Sequence, residues 1–158
     1  MRVESLSAFE RAVRLLARRA RTEAELQRAL ASFPAEERAA ALARVRELGY
    51  MDDRETARQR ARAAVSRGEA PRLMLRRLSA QGIGEADAKA AVAEAGEGAG
   101  EEALAARALA RKLRGRQVRD ERERRRLFRA LVAKGHRARA VAKLLGLDWE
   151  GGDDTSED

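Results

Sequence analysis

The segment Tyr50-Met51-Asp52-Asp53 spells a motif whose paired aspartates hold Mg²⁺ in reverse-transcriptase polymerases. That chemistry needs a β-hairpin beneath the turn and a further carboxylate to complete the metal site. Helical patterns flank this turn on both sides, and 158 residues are too few for a polymerase. The aspartates are therefore expected to cap a helix, a role worth about 1 kcal/mol. His136 is the only histidine and there is no cysteine, which excludes a histidine metal cluster and a Cys/His dyad. No nucleophile–base pair or phosphate-binding glycine loop stands out elsewhere. No cofactor or metal is expected, and the protein is read as one that acts by binding rather than as an enzyme.

The side chain supplied in quantity is arginine, which accounts for 30 of the 34 cations. One rich stretch holds Arg107, Arg111, Lys112, Arg114, Arg116, Arg119, Arg122, Arg124, Arg125, Arg126 and Arg129, offset only by Asp120, Glu121 and Glu123. A second candidate face holds Arg58, Arg60, Arg62, Arg67, Arg72, Arg76 and Arg77. A solvated helical surface laced with i, i+4 ion pairs would account for part of this. The excess of cations goes beyond pairing, and the guanidinium fork suits bidentate contact with carboxylate or phosphate. These faces are read as partner-facing. All 34 cations but only 20 of the 26 acids precede Asp148, so residues 1–147 carry +14 against +8 for the chain. Such a body attracts polyanions, whether nucleic acid or an acidic protein surface.

The elements that must position these residues are helical. Aromatics are 3% of the chain and β-branched residues are sparse, while alanine and arginine, both strong helix formers, abound. Ser7-Ala8-Phe9-Glu10 and Thr22-Glu23-Ala24-Glu25 have the form of capping boxes. Phe9, Val13 and Leu16 then share one helical face, as do Leu26 and Leu30. Pro34 suits the start of a third helix carrying Leu42, Val45 and Leu48, stopped by Gly49. Asp52 or Asp53 can cap a fourth helix running to about Arg67. Pro71 opens a fifth, carrying Met74 and Leu78 and ended by Gly82. A sixth spans Glu85 to Ala95, before the glycine-rich joint 96–100. Three more follow over Glu101–Leu113, Arg119–Lys134 and Arg137–Leu145, with Gly115 and Gly135 as breaks.

These nine segments repeat. Leu26/Leu30, Met74/Leu78 and Leu127/Leu131 superimpose, Gly82 and Gly135 each follow four residues later, and Ala88/Val92 then matches Val141/Leu145. Phe33, Ile83 and His136 occupy one place in this register, which makes His136 a structural residue. The fold expected is all-α, with three tandem three-helix repeats over 1–50, 51–97 and 98–147 stacked into an elongated, curved rod. An acidic tail, 148–158, is expected to be disordered. The N-terminus lacks the apolar core of a signal peptide and no run could span a membrane; a soluble, cytoplasmic monomer is expected.

The pattern resembles the RecX family. Gly49-Tyr50-Met51-Asp52-Asp53 is followed by a helix over 57–67. Then comes Gly68-Glu69-Ala70-Pro71-Arg72-Leu73-Met74-Leu75-Arg76-Arg77-Leu78-Ser79-Ala80-Gln81-Gly82-Ile83. This is similar to the family's Gly-Leu-Leu-Asp-Asp turn, its Arg-rich helix and its Gly-x-x-Pro-Arg-x-Ile-x-x-x-Leu-x-x-x-Gly-Ile run. Ala108-Leu109-Ala110-Arg111-Lys112 and Leu131-Val132-Ala133-Lys134-Gly135 extend the likeness, which covers about residues 7–147. One departure is the helix after the Asp-Asp turn, which holds Thr56, Arg60 and Val65 where family members carry aromatics.

The resemblance implies a protein that binds the RecA filament on single-stranded DNA. It would lie in the filament groove, block extension, and lower the ATPase, strand-exchange and LexA-cleavage activities of RecA, with weak direct DNA contact. The residues read as the binding set are Arg58, Arg62, Arg67, Arg72, Arg76, Arg77, Arg111, Lys112, Arg114 and Arg116. Gly49, Asp52, Asp53, Pro71, Leu78, Gly82 and Gly135 form the structural motif. The alternative is a stand-alone basic DNA-binding protein that acts without RecA. The helix–Gly–helix segments Leu73–Val92 and Leu127–Leu145 look like helix-turn-helix units. Three-helix units share that look without reading bases, and the scarcity of aromatics argues against base stacking.

Overall fold

The structure, a computed structural model, describes residues 6–151. Among these residues it is all-helical: α1 Ala8–Arg18, α2 Glu23–Ala29, α3 Ala35–Glu47, α4 Asp53–Ser66, α5 Pro71–Ala80, α6 Glu85–Ala95, α7 Glu101–Leu113, α8 Glu121–Ala133 and α9 Ala138–Leu145. Both expected capping boxes form, Ser7 with Glu10 and Thr22 with Glu25. Pro34 is the cap residue of α3, one place before its first turn. Pro71 takes the first turn of α5, where a missing N–H costs nothing. α8 starts two residues later than its apolar period alone marks, because the Asp120 carboxylate accepts the Glu123 N–H at 2.7 Å and fixes the cap there.

The two aspartates of the turn divide the work of capping. Asp52 accepts the Glu55 N–H at 3.0 Å and caps its own helix, α4. Asp53 instead reaches back and accepts the Glu23 N–H at 2.9 Å, serving the first turn of α2. Burial pushes the Asp53 carboxyl above its ordinary value, with Glu23 and Asp52 adding repulsion and the Glu23 N–H opposing them.

Buried apolar side chains gather in three clusters, one for each successive group of three helices. The first joins Ala12, Leu15, Leu26, Leu30, Leu42, Val45 and Met51. The third joins Ala108, Leu127, Leu131, Val141 and Leu145. The middle one rests on Met74, Leu78, Ile83 and Val92, packed against Ala57, Ala61, Ala64, Ala88 and Ala91. α4 thus meets α6 through alanines, and the small side chains let the two helices approach closely. Each large side chain buried here contributes roughly 1.5–3 kcal/mol, so the middle cluster has fewer strong contributors than the first.

The groups of three are joined by a contact that recurs. At the first joint, Thr22 Oγ1 donates to the Gln81 carbonyl at 2.6 Å, and Gly82 faces the Ala24 methyl. At the second, the Ala70 N–H donates to the Lys134 carbonyl at 2.8 Å, and Gly135 lies against Leu73. Gly82 and Gly135 have φ of +83° and +89°. The N–H groups of Ile83 and His136 close back onto the Leu78 and Leu131 carbonyls, at 3.0 and 3.2 Å, which is the Schellman ending of α5 and α8.

No helix among the described residues is long and apolar enough to cross a membrane. The expected tail, 148–158, lies within the described residues only as far as Gly151. There the Trp149 ring packs on Phe128 of α8, with centroids 5.7 Å apart. The remainder of the tail, 152–158, lies outside the described residues.

Candidate polyanion-binding grooves

The ten residues of the expected binding set do not converge on one place. Arg58 and Arg62 both reach Glu94 on α6, at 3.1 and 2.9 Å, tying α4 to α6 on an exposed side. Arg67 and Arg77 share one oxygen of Glu69, at 2.9 and 2.7 Å; that carboxylate is 4% exposed. Arg72 donates to the Gly135 carbonyl at 2.8 Å and so belongs to the second joint. Arg111 donates to the Val65 carbonyl at 2.6 Å, closing the C-terminal end of α4. Arg116 pairs with Glu123 at 2.7 Å. Among the described residues, Arg76, Lys112 and Arg114 are in no ion pair.

Glu123 explains why α8 tolerates so many cations. Its nearly buried carboxylate accepts the Arg119 N–H at 2.8 Å and also meets Arg116, Arg119 and Arg126. The Arg119 N–H, the Arg116 guanidinium and then the other contacts hold it down to about 2. Arg124 and Arg125 both turn to Glu121. The acids of this stretch are therefore spent locally, and the remaining arginines face outward.

Four of the ten do meet. Arg67, Arg111, Lys112 and Arg114 line a hollow of about 340 Å³ between the C-terminal ends of α4, α7 and α8, together with Ser66, Gly68, Ala108, Leu131 and Lys134. Five cations and no carboxylate line it. Cations do complement the negative C-terminal ends of helices, and Arg111 is used that way. Lys112, Arg114 and Lys134 exceed that need. Arg114 sits at φ +49°, a left-handed conformation that costs a non-glycine residue about 1 kcal/mol or more.

A second hollow, of about 240 Å³, occupies the equivalent place one joint earlier. It is lined by Arg19, Glu25, Arg60, Ala61, Ala63, Ala64, Arg67, Glu69, Met74, Arg77, Leu78 and Gln81. Counted back from Gly68 and Gly115, Ala61, Ala64 and Arg67 become Ala108, Arg111 and Arg114. In the repeat register, Arg19, Leu78 and Gln81 become Arg67, Leu131 and Lys134. Arg67 lines both hollows. The earlier one is half neutralised: Arg60 forks onto both oxygens of Glu25, at 3.2 and 2.9 Å, and also holds Gln81 and the Ala20 carbonyl. The Glu25 carboxyl lies below its ordinary value although burial, the largest single influence, pushes it up, because Arg60, the Thr22 N–H and Arg19 together outweigh that. Sequence reasoning missed Arg19 and Lys134 as members of this track; the signal was the register of the repeat, applied to the cations as well as the leucines.

No protein-family model matches the sequence, and no curated protein matches it. Solved structures do. The crystal structure of RecX from Lactobacillus salivarius has 17% sequence identity to this chain and a TM-score of 0.59, over 88% of this chain and 92% of that one. A crystal structure of the regulatory protein RecX has 23% identity and a TM-score of 0.58, over 88% of this chain and 70% of that one. At these identities the likeness is one of fold: the chain has the RecX fold.

Proposed function

We propose that this protein is a RecX-like regulatory protein that binds the RecA–DNA filament and restrains it. In this reading the three units over 1–50, 51–97 and 98–147 stack as an elongated, curved rod that lies in the filament groove. It bridges subunits, blocks extension and lowers ATPase, strand-exchange and LexA-cleavage activities. The protein acts as a cytoplasmic monomer and by binding alone. The observation that carries the reading is the recurrence of an arginine-lined groove at successive joints, with Arg19, Arg67 and Arg114 in equivalent places, in a chain with the RecX fold. A repeated cationic site suits a repeated anionic partner, and several weak contacts in register give avidity without any one strong one. The unpaired Lys112 and the strained backbone of Arg114 support a groove kept open for an external anion.

The same five-cation groove favours a second reading, direct binding to nucleic acid without RecA. The two are separated by measuring the ATPase rate of the cognate RecA on single-stranded DNA with substoichiometric additions of this protein. Inhibition well below one molecule per RecA, at salt where bare DNA is not bound, is the expected result. No inhibition, together with tight, salt-sensitive binding to bare DNA, would establish the second reading instead.

A further inference from the structure

α5 divides the molecule's cations between two surfaces of different chemistry. At 3.6 residues per turn, Met74, Arg77, Leu78 and Gln81 face the cationic track, while Arg72, Leu75, Arg76 and Ser79 point the opposite way. That second side forms one wall of a hollow of about 840 Å³ between α5, α6 and the C-terminal end of α8. Half-buried Leu75 and Val132 stand in its walls over buried Leu73 and Ala88, and Arg76 is exposed at its edge without an ion-pair partner. Arg72 is held by the Gly135 carbonyl, and Lys89 by Glu85.

We propose that this groove docks an acidic, apolar-anchored segment of a partner protein, with Arg76 as its charge contact; the proposal rests on the reading above and assigns the protein-binding and DNA-binding work to opposite sides of α5. A phosphate backbone would leave Leu75 and Val132 facing a charged strand, and no aromatic lines the groove for a base to stack on. A segment that sets an apolar side chain on those residues and a carboxylate on Arg76 satisfies both parts of the surface. A second copy of this chain is a poor occupant, since residues 1–147 carry +14 and would repel each other. The chain's own acidic aromatic segment, Asp148-Trp149-Glu150, is engaged elsewhere, on Phe128.

The test compares Arg76→Glu and Ala133→Glu in this groove with Arg114→Glu in the cationic track. The first and last change charge equally, and all three sites are solvent-exposed. Circular dichroism checks the fold, and each protein is titrated against a labelled dT oligomer, bare and coated with RecA. The expected result is at least a tenfold loss of affinity for the RecA-coated oligomer with Arg76→Glu and Ala133→Glu. Their affinity for the bare oligomer stays within about twofold, and Arg114→Glu weakens the bare oligomer. If both groove variants bind the coated oligomer as the parent does, the groove is not a docking site, and the regulator reading stands without it. Equal losses on both probes would make the groove part of the polyanion track and overturn the division. If the parent protein itself prefers bare to coated oligomer, the regulator reading fails and this proposal falls with it.

Discussion

His136 occupies the place that Ile83 fills one unit earlier, and it does so with a polar ring. It is 2% exposed, and its Nε2 donates to the Gly68 carbonyl at 2.8 Å across the second joint. Nδ1 is buried with no hydrogen-bond partner among the described residues, so a proton added there would lie buried and unpaired. Burial pushes the imidazole below its ordinary 6.5, with nearby Arg72 acting the same way and the Gly68 contact and Glu101 opposing. The native state thus prefers neutral histidine. Its contribution is whole above the unfolded value near 6.5 and drains away as pH falls through that value toward the lowered native one. The Asp53 carboxyl, raised in the native state, pulls the other way over the acid range and is common to both proteins compared here. Between pH 7.5 and pH 5 the urea midpoint of the parent should fall further than that of His136→Ile, which restores the residue of the earlier unit. Equal falls would mean that His136 does not titrate against the joint.

At the scale of elements, the glycines that end helices are of two kinds, and only position in space separates them. Gly49 and Gly82 both stop a helix with positive φ, +68° and +83°. A Cβ on Gly49 meets nothing within 4 Å, whereas one on Gly82 would run into the Ala24 methyl of α2, and one on Gly135 would come within 2.8 Å of Leu73 Cβ. Gly49→Ala should cost only the left-handed backbone term, about 1–2 kcal/mol. Gly82→Ala should cost that plus an overpacking term of about 1–3 kcal/mol. Urea denaturation of the two variants checks this, and equal losses would show that the first joint can open far enough to clear the Ala24 methyl at no cost. The helices themselves were legible in the sequence because capping boxes, Pro71 and the glycine stops all act within one turn of the chain. That Gly82 and Gly135 also form joints was not legible, because the partners Ala24 and Leu73 lie 58 and 62 residues away. Asp53 is the same lesson in a side chain: the sequence offered two caps for one helix, and the structure gives the second aspartate to α2.

For the whole molecule, the question is how many of its cations remain for a partner once internal pairing is complete. The sequence displayed the excess and its two rich stretches. It could not reveal that Arg60 is consumed by Glu25, that Arg67 and Arg77 share Glu69, or that Arg58 and Arg62 share Glu94. Those pairings depend on which faces α4, α5 and α6 turn toward one another, and a periodic sequence leaves that open. What survives is a track in which Arg19 stands one joint before Lys112 and Arg114. A single strand following both grooves would release counterions at each, and log K against log salt falls by about 0.7 for every phosphate neutralised on single-stranded nucleic acid. Lys112→Gln/Arg114→Gln should therefore reduce the slope for a dT oligomer by roughly 1.4, and adding Arg19→Gln should reduce it by about 0.7 more. Anisotropy titrations across a salt series would measure both. If Arg19→Gln leaves the slope of the double variant unchanged, one strand does not run through both grooves. The repeat would then position two separate anion contacts in place of one continuous path.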